Sequence, residues 1–251
     1  MQELHVSISC FDLFSNLDSL DVAGSSMKDA DIYLAIKCMR KPIKRLGLAR
    51  SQFGSWSFEA LESHFHSLQE LDLTDCGNVK SKEIASILRS CPRLTCLKAG
   101  TLSSLDVEDY DPWACANRLL ILHLYIEVDE NEFERASRRV FNCLSALASL
   151  QELNIAGHGR DRRSSLQKAK PLQLRLDCGL GYLSKLWHMK KFNFSERGQE
   201  MTMDEGKWIK EHWRMLQSIQ GRFNKNSVIN SQIQELFQEA NYRHSKRESK
   251  E

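Results

Sequence analysis

His158 stands between Gly157 and Gly159, and a histidine on a glycine-flanked loop is a typical position for a general acid or base. A catalytic histidine needs partners, however. The sequence contains no Gly-x-Ser-x-Gly elbow, no His-Glu-x-x-His pair and no phosphate-cradling glycine loop. Gly-His-Gly is then more typical of a turn. The sequence therefore predicts a protein that is not an enzyme, with no catalytic residue and no cofactor.

Eight cysteines are the next residues with chemical potential, at positions 10, 38, 76, 91, 96, 115, 143 and 178. None forms a Cys-x2-Cys pair, and no group of cysteines and histidines has zinc-finger spacing, so no metal site is predicted. The N-terminus lacks a basic segment followed by an apolar core, so no secretory signal is predicted and reduced thiols are expected. We interpret the cysteines as small buried residues. Cys76 lies three residues after Leu73, where repeat proteins place Asn or Cys in a turn.

The composition is that of an ordinary soluble globular protein, with 41% hydrophobic and 27% charged residues. The net charge of +2 provides no strong field that would attract nucleic acid or a membrane surface. The longest apolar run, Leu119 to Ile126, is interrupted by His123 and is far shorter than the roughly 20 residues of a membrane span. We therefore predict a cytoplasmic or nuclear protein that is not secreted, with no nucleic-acid partner and no membrane partner.

A recurring leucine spacing indicates how the chain is built. Pairs of apolar residues, separated by one residue, begin 25, 26, 25 and 31 residues apart. The five pairs are Leu46/Leu48, Leu71/Leu73, Leu97/Ala99, Leu122/Leu124 and Leu153/Ile155, with Leu20/Val22 before them and Phe192/Phe194 after them. A period of about 20 to 29 residues around a short strand is typical of leucine-rich repeats.

Between the predicted strands, apolar residues recur at helical spacing and so predict one buried helical face in each unit. The predicted faces comprise Ile32, Ala35, Ile36 and Met39, then Phe58, Leu61 and Phe65, then Ile84, Ile87 and Leu88. Asp29 and Ser81 are the predicted N-caps, and Pro92 ends the third helix. The predicted fold is an α/β leucine-rich-repeat solenoid, or horseshoe, with parallel strands on the concave face and helices on the convex face.

The domain prediction places the repeat array in residues 1–224. Its first strand, residues 1–6, has no capping segment before it, so we expect the N-terminal cap to be missing from this chain. The array is predicted to close with a capping box at Thr202 and Glu205 and with Trp208 and Trp213 on one helical face. Residues 225–251 are predicted to form an amphipathic helix over 228–240 and a charged disordered tail over 241–251.

Three charged segments interrupt the regular pattern, at Asp106–Asp111, Glu127–Glu134 and Gly157–Lys170. Charge runs are usually solvated loops, and this is the interpretation that we adopt for all three. Insertions in repeat arrays also often lie near the binding face. The third segment therefore supplies Arg160, Arg162 and Arg163 as further contact candidates.

The candidate binding residues follow from strand geometry, because side chains alternate between the two faces of a sheet. In each x-Leu-x-Leu-x run the leucines point into the core and the other residues face outward. The predicted concave-face residues are Glu70, Asp72, Thr74, His123, Tyr125, Glu152, Asn154, Arg175, Asp177, Lys191 and Asn193. Mixed charge with scattered aromatic rings suits recognition of a protein surface, although any solvated sheet face has a similar composition.

The C-terminal segment carries the most specific resemblance to a known group. It contains a Gly-Leu-Gly-Tyr-Leu run that begins at Gly179, the strand Phe192–Phe194, a Met-x-x-x-Glu-x-x-Trp pattern from Met201 to Trp208, and a second tryptophan at Trp213. These motifs resemble the fungal F-box/leucine-rich-repeat group, the ribonuclease-inhibitor-like proteins. The resemblance is sharp only here and extends at repeat level over most of residues 60–221.

What the resemblance implies is a protein-interaction module that recognises substrates for an SCF-type (cullin-RING) ubiquitin ligase. The adaptor-binding F-box of that group starts with a Leu-Pro motif, whereas the first proline here is Pro42, within a repeat. A cullin-RING adaptor is therefore expected as a partner only if an F-box lies upstream, beside a protein partner that the sequence does not identify. The alternative is a leucine-rich-repeat scaffold or regulatory binder outside the ubiquitin system, or a truncated family member.

Overall fold

The protein is an α/β structure built on one large sheet. The structure, a computed structural model, describes residues 16–108, 113–156, 169–194 and 198–248, with side chains described to residue 238. Within these residues nine strands form the sheet. The strands are β1 (Ser19–Asp21), β2 (Arg45–Gly47), β3 (Glu70–Asp72), β4 (Cys96–Ser103), β5 (Ile121–Asp129), β6 (Glu152–Asn154), β7 (Ala169–Pro171), β8 (Lys191–Asn193) and β9 (Ser218–Gln220).

All strands except β7 follow one another across the sheet in chain order and pair in parallel. The second residue of each of these eight strands is in register with that of its neighbours, and together they form one row: Leu20, Leu46, Leu71, Leu97, Leu122, Leu153, Phe192 and Ile219. The first seven are buried, whereas Ile219 in the last strand is half-buried. The predicted α/β class with parallel strands is therefore confirmed.

Helices follow most of the strands in the chain. They are α1 (Asp29–Cys38), α2 (Ser55–Glu62), α3 (Ser81–Ser90), α4 (Phe133–Ser145), α5 (Met203–His212) and α6 (Ser227–Glu248), with short 3-10 helices at Ser104–Asp106 and Leu180–Lys185. The apolar faces of these helices and the central strand residues belong to one hydrophobic core. The predicted helical faces are confirmed for Ile32, Ala35, Ile36, Leu61, Ile84, Ile87 and Leu88, whereas Phe58 is only partly buried. Met39 and Phe65 are buried but follow the ends of α1 and α2.

The predicted helix caps were wrong by one residue. Asp29 and Ser81 are the first helical residues of α1 and α3, behind the N-caps Lys28 and Lys80. The reason lies at the third helical position. Asp31 accepts a hydrogen bond from the Lys28 backbone N–H at 3.2 Å, which fixes the earlier start of α1. Glu83 holds the start of α3 in the same way, at 2.8 Å from the Lys80 nitrogen.

The middle of the sheet departs from the predicted pattern. The prediction of a loop over Glu127–Glu134 was wrong, because β5 continues to Asp129 and α4 begins at Phe133. The strand continues since Ile126 and Val128 are buried and the extension pairs on both sides, in parallel with β4 and antiparallel with β7. Of the segment at 106–111, the structure describes residues 106–108, and of that at 157–170, residues 169–170.

The C-terminal elements close the core largely as predicted. Thr202 caps α5, and Glu205 accepts a hydrogen bond from the Thr202 backbone N–H at 2.7 Å, which completes the predicted capping box. Trp213 is buried. The helix α6 runs to Glu248 and therefore includes part of the segment 241–251 for which a charged tail is predicted. The predicted first strand, residues 1–6, lies outside the described residues.

Candidate functional site: the outer sheet face

The strand residues on either side of the buried row point away from the core and form what we call the outer sheet face. The alternation is visible in the burial of β2, β3, β6 and β8, where a buried central residue lies between two more exposed ones. We define the outer sheet face by Glu70, Asp72, Lys98, His123, Glu152, Asn154, Lys191 and Asn193, all of them exposed or half-buried. The face therefore carries both signs of charge.

Glu152 is the centre of a hydrogen-bonded group that joins three strands. Its Oε1 lies 2.8 Å from Nε2 of His123 on β5, and its Oε2 lies 3.2 Å from Nζ of Lys191 on β8. Glu152 stands directly opposite Lys191 in the sheet register. One carboxylate therefore links residues that are far apart in the sequence.

The protonation of this group follows from its surroundings. Burial lowers the pKa of His123, and the hydrogen bond to Glu152 offsets this only in part. Burial raises the pKa of Glu152, but the hydrogen bonds from His123 and Lys191 outweigh it, so that the net pKa is lowered. At neutral pH a neutral His123 therefore donates its Nε2–H to an ionised Glu152.

A second charge pair lies on β3 and β4. Lys98 Nζ is 3.6 Å from Asp72 Oδ2, and the two side chains are 37% and 33% exposed. The other carboxylate oxygen of Asp72 accepts a hydrogen bond from the Thr74 backbone N–H at 2.9 Å, which holds the turn after the strand. Exposed ion pairs stabilise a fold by only about 0–1 kcal/mol, so Lys98 can exchange its partner at little cost.

An indentation lies beside these residues, just after β3, within β4 and β5, and at the carboxyl end of β6. It is lined by Asp75, Ala99, Gly100, His123, Leu124, Tyr125, Asn154 and Ala156 and has a volume of about 10 Å³. The small residues Ala99 and Gly100 stand where the pairing of β4 with β5 shifts register. This volume holds about one water molecule, so the indentation suits a protruding side chain or a water rather than a small-molecule ligand.

Most of the predicted concave-face residues are brought together. Seven of them belong to the outer sheet face as defined above. Thr74 follows β3, and Tyr125 lies within β5 at the indentation. Lys98 was missed by the prediction, although it follows Leu97 just as Asp72 follows Leu71. The same alternation rule would have identified it. Arg160, Arg162 and Arg163 lie outside the described residues.

The prediction was wrong for Arg175 and Asp177, which do not lie on a strand. They form an ion pair with each other in the segment that precedes the 3-10 helix at Leu180–Lys185, and the Asp177 carbonyl accepts from Arg138 of α4. Because this segment does not pair as a strand, buried side chains accept hydrogen bonds from its backbone N–H groups. Gln199 accepts from the Leu174 N–H at 3.0 Å, and Glu205 accepts from the Leu176 N–H at 3.1 Å.

The prediction that the cysteines are small buried residues is confirmed for five of the seven described cysteines: Cys76, Cys91, Cys115, Cys143 and Cys178. Cys38 and Cys96 are half-buried. Cys76 donates from its Sγ to the Leu48 carbonyl at 3.0 Å. Burial raises the pKa of Cys91 and of Cys115 to about 12, so both remain thiols at neutral pH. In the described part of the chain no three His, Cys, Asp or Glu residues are grouped so as to hold a metal ion.

Fold and surface together define an α/β protein with a sheet of mostly parallel strands that presents one mixed-charge face to solvent. A comparison of the chain with protein-family models gives no match, and a comparison with curated proteins gives none either. Among the described helices, none combines the length and the apolar character needed to cross a lipid bilayer.

Proposed function

We propose that this protein is a leucine-rich-repeat solenoid whose outer sheet face binds another protein. The observation that carries the proposal is the row of core residues that runs in register from Leu20 to Ile219 through parallel strands in chain order. A solenoid stacks its units in this way, and each unit then contributes outward strand positions to one continuous surface. We propose binding, rather than catalysis, as its activity.

The size and chemistry of the outer sheet face support a protein partner. Its residues lie on five neighbouring strands, β3 to β6 and β8, so that four strand-to-strand spacings of about 4.8 Å extend the face over about 19 Å. This is a large part of the side, about 28 Å, of a standard interface patch of about 800 Å². The charge pairs at Asp72 and Glu152 can be exchanged for pairs with a partner, which gives specificity and faster association. The nearby indentation is too small for a typical ligand, which needs about 300 Å³ or more.

The motifs around Gly179, Trp208 and Trp213 support a more specific proposal. Through their resemblance to the F-box/leucine-rich-repeat group, we propose that the protein partner is a substrate of a cullin-RING ubiquitin ligase, in the cytoplasm or the nucleus. The ligase adaptor would be recruited by an F-box encoded upstream. Without such a segment, the same surface would serve a scaffold or a regulatory binder.

The test is an affinity purification from the source cells, with any in-frame upstream segment included, followed by mass spectrometry. The bait is compared with an outer-face variant carrying Glu70→Lys, Asp72→Asn and Glu152→Lys. The amide introduced at position 72 keeps an acceptor oxygen for the Thr74 backbone N–H. A control variant carries Glu62→Lys, Glu211→Lys and Glu235→Lys at exposed helix positions.

We expect one protein to be retained by the native chain and the control but lost from the outer-face variant. Recovery of a cullin-RING adaptor together with that protein would support the ligase proposal, whereas recovery of the protein alone would favour the scaffold. A partner that binds all three chains equally would contradict the outer sheet face as the binding surface.

A further inference from the structure

A basic cleft lies at the opposite end of the strands, where the chain returns from each helix to the next strand. We define it by Lys41, Lys44, His66 and Arg93. Lys41 and Lys44 belong to the return from α1 to β2, His66 to the return from α2 to β3, and Arg93 to the return from α3 to β4. Three successive connections therefore direct ionisable basic side chains to one place.

The basic cleft has a volume of about 230 Å³. The indentation on the outer sheet face, at about 10 Å³, holds about one water, so by the same measure the basic cleft has room for many waters and therefore for a phosphate group. The carboxylate on its wall belongs to Asp18, which pairs with Lys44 at 2.9 Å. Among the described residues, Lys41 and Arg93 have no carboxylate partner, so the lining keeps two uncompensated permanent charges beside His66.

The surrounding sequence increases this positive charge. Residues 37–45 contain Lys37, Arg40, Lys41, Lys44 and Arg45 and no acidic residue. The local charge contrasts with the net charge of only +2 for the whole chain. The basic cleft is therefore a local anion-attracting site and not the consequence of a basic protein.

The backbone of the cleft wall is already hydrogen-bonded. The Lys44 carbonyl accepts from the Gln69 and Glu70 N–H groups at 2.7 and 3.0 Å. The Ser67 hydroxyl donates to the carbonyls of Ile43 and His64, each at 2.9 Å. The wall is thus fixed by bonds between successive connections, and the side chains of Lys41 and Arg93 remain available to a ligand.

We propose that the basic cleft binds a phosphoryl dianion, either as free phosphate or as the phosphorylated side chain of a peptide. Two permanent cations match the two charges of a phosphate monoester, and the planar Arg93 guanidinium can donate two parallel hydrogen bonds to its oxygens. The bounded volume between three connections favours a compact anionic group over a nucleic-acid strand, which needs an extended basic groove. This proposal is independent of the outer sheet face.

The test is isothermal titration calorimetry on the whole chain with three probes: inorganic phosphate, the peptide Gly-Gly-phosphoserine-Gly-Gly, and a single-stranded RNA oligonucleotide. The cleft variant carries Lys41→Gln and Arg93→Gln. The control variant carries Lys207→Gln and Arg214→Gln, which remove the same charge from exposed positions on and just after α5. Thermal melts of both variants verify that each retains the fold.

We expect saturable binding of phosphate or phosphopeptide, unchanged in the control and weakened at least about tenfold in the cleft variant. Phosphopeptide binding that is tighter than phosphate binding would identify a peptide as the source, and equal affinities would identify free phosphate. The proposal is overturned if neither phosphate nor the phosphopeptide saturates the protein at millimolar concentrations, or if the cleft and control variants lose binding equally. It is also overturned if RNA binds more tightly than the phosphopeptide and the cleft variant loses RNA binding.

Discussion

His123 on β5 and Glu152 on β6 are joined by a hydrogen bond of 2.8 Å between Nε2 and Oε1. The neutral imidazole is the donor, because burial lowers the pKa of His123 below its ordinary value of 6.5. Burial also lowers the pKa of His64, whose Nδ1 accepts from the Ile43 backbone N–H at 3.3 Å. Both histidines are therefore held uncharged in the folded state but accept protons freely in the unfolded state.

This difference predicts that acid destabilises the protein in two stages. Below about pH 6.5 the unfolded state binds more protons than the folded state at His123 and His64, so the free energy of unfolding falls as the pH falls. Below about pH 4.5 a second loss begins, because the pKa values of Glu152 and Glu205 are lowered in the folded state. Urea unfolding measured from about pH 7.5 to pH 3.5 checks both stages.

Histidine substitutions separate the contributions of His123 and His64 to the loss of stability that begins below about pH 6.5. His123→Gln and His64→Gln should each reduce the loss of stability between about pH 6.5 and pH 5, and the double variant should reduce it further. His188→Gln, at an exposed position, is the matched control and should keep the wild-type profile. An unchanged slope in the double variant would contradict the assignment of this stage to the two histidines.

Leu122→Ala should destabilise the protein by about 2–5 kcal/mol, because Leu122 is fully buried in the central row and the substitution leaves a cavity. Ile121→Ala is the control at the neighbouring position, which is half-buried on the opposite side of β5. Ile121→Ala should lower the free energy of unfolding by only about 1 kcal/mol. Chemical denaturation of both variants measures the difference, and equal losses would contradict the assignment of the two faces.

Asp29→Ala should destabilise the protein by about 1–3 kcal/mol, because the Asp29 carboxylate caps α2 from the neighbouring α1. Its Oδ1 accepts from Gly54 N at 2.9 Å, Ser57 N at 3.1 Å and Ser57 Oγ at 2.6 Å, and its Oδ2 accepts from Trp56 N at 3.1 Å. Asp29→Asn keeps one acceptor oxygen and should recover part of the loss.

Asp31→Ala is the control for this helix cap, because within the described part of the chain Asp31 accepts only from the start of its own helix. Its expected cost is about 0.5–1 kcal/mol. Thermal unfolding of the three variants ranks the effects. A loss for Asp31→Ala as large as that for Asp29→Ala would show that the link between α1 and α2 adds no stability.

Trp213→Phe should destabilise the C-terminal end by about 1–3 kcal/mol, because it removes the indole hydrogen bond to the Leu183 carbonyl, which among the described residues then accepts only from the Leu186 N–H, and because it replaces a buried ring by a smaller one. The buried indole Nε1 donates to that carbonyl at 3.1 Å, and the ring packs edge-on against Phe192 with centroids 5.0 Å apart. Trp208→Phe is the comparison, since Trp208 is half-buried and stacks on His212. Circular dichroism melts should show a clearly smaller loss for Trp208→Phe.

The sequence predicts the parts of this fold that depend on local alternation. Leu71 and Leu122 were assigned to the core, and Asp72 and His123 to the opposite face, because neighbouring strand residues point to opposite sides of a sheet. The same rule failed at Arg175, where the alternation is present but no strand forms. A strand also needs a neighbouring strand that pairs with its backbone N–H and C=O groups. Around Arg175, the side chains of Gln199 and Glu205 accept from the backbone N–H groups instead.

The sequence by itself thus determined the α/β class, the buried row and most of the outer sheet face, since these follow from the spacing of apolar residues. Only the tertiary structure decided which residues from separate connections meet. The antiparallel pairing of β7 with β5, the cap that Asp29 provides to α2, and the basic cleft between Lys41, His66 and Arg93 all depend on how separate strands, helices and connections pack side by side. This packing brings together residues about 25 or more positions apart, and the spacing of apolar residues along the chain does not encode where the side chains of the connections point.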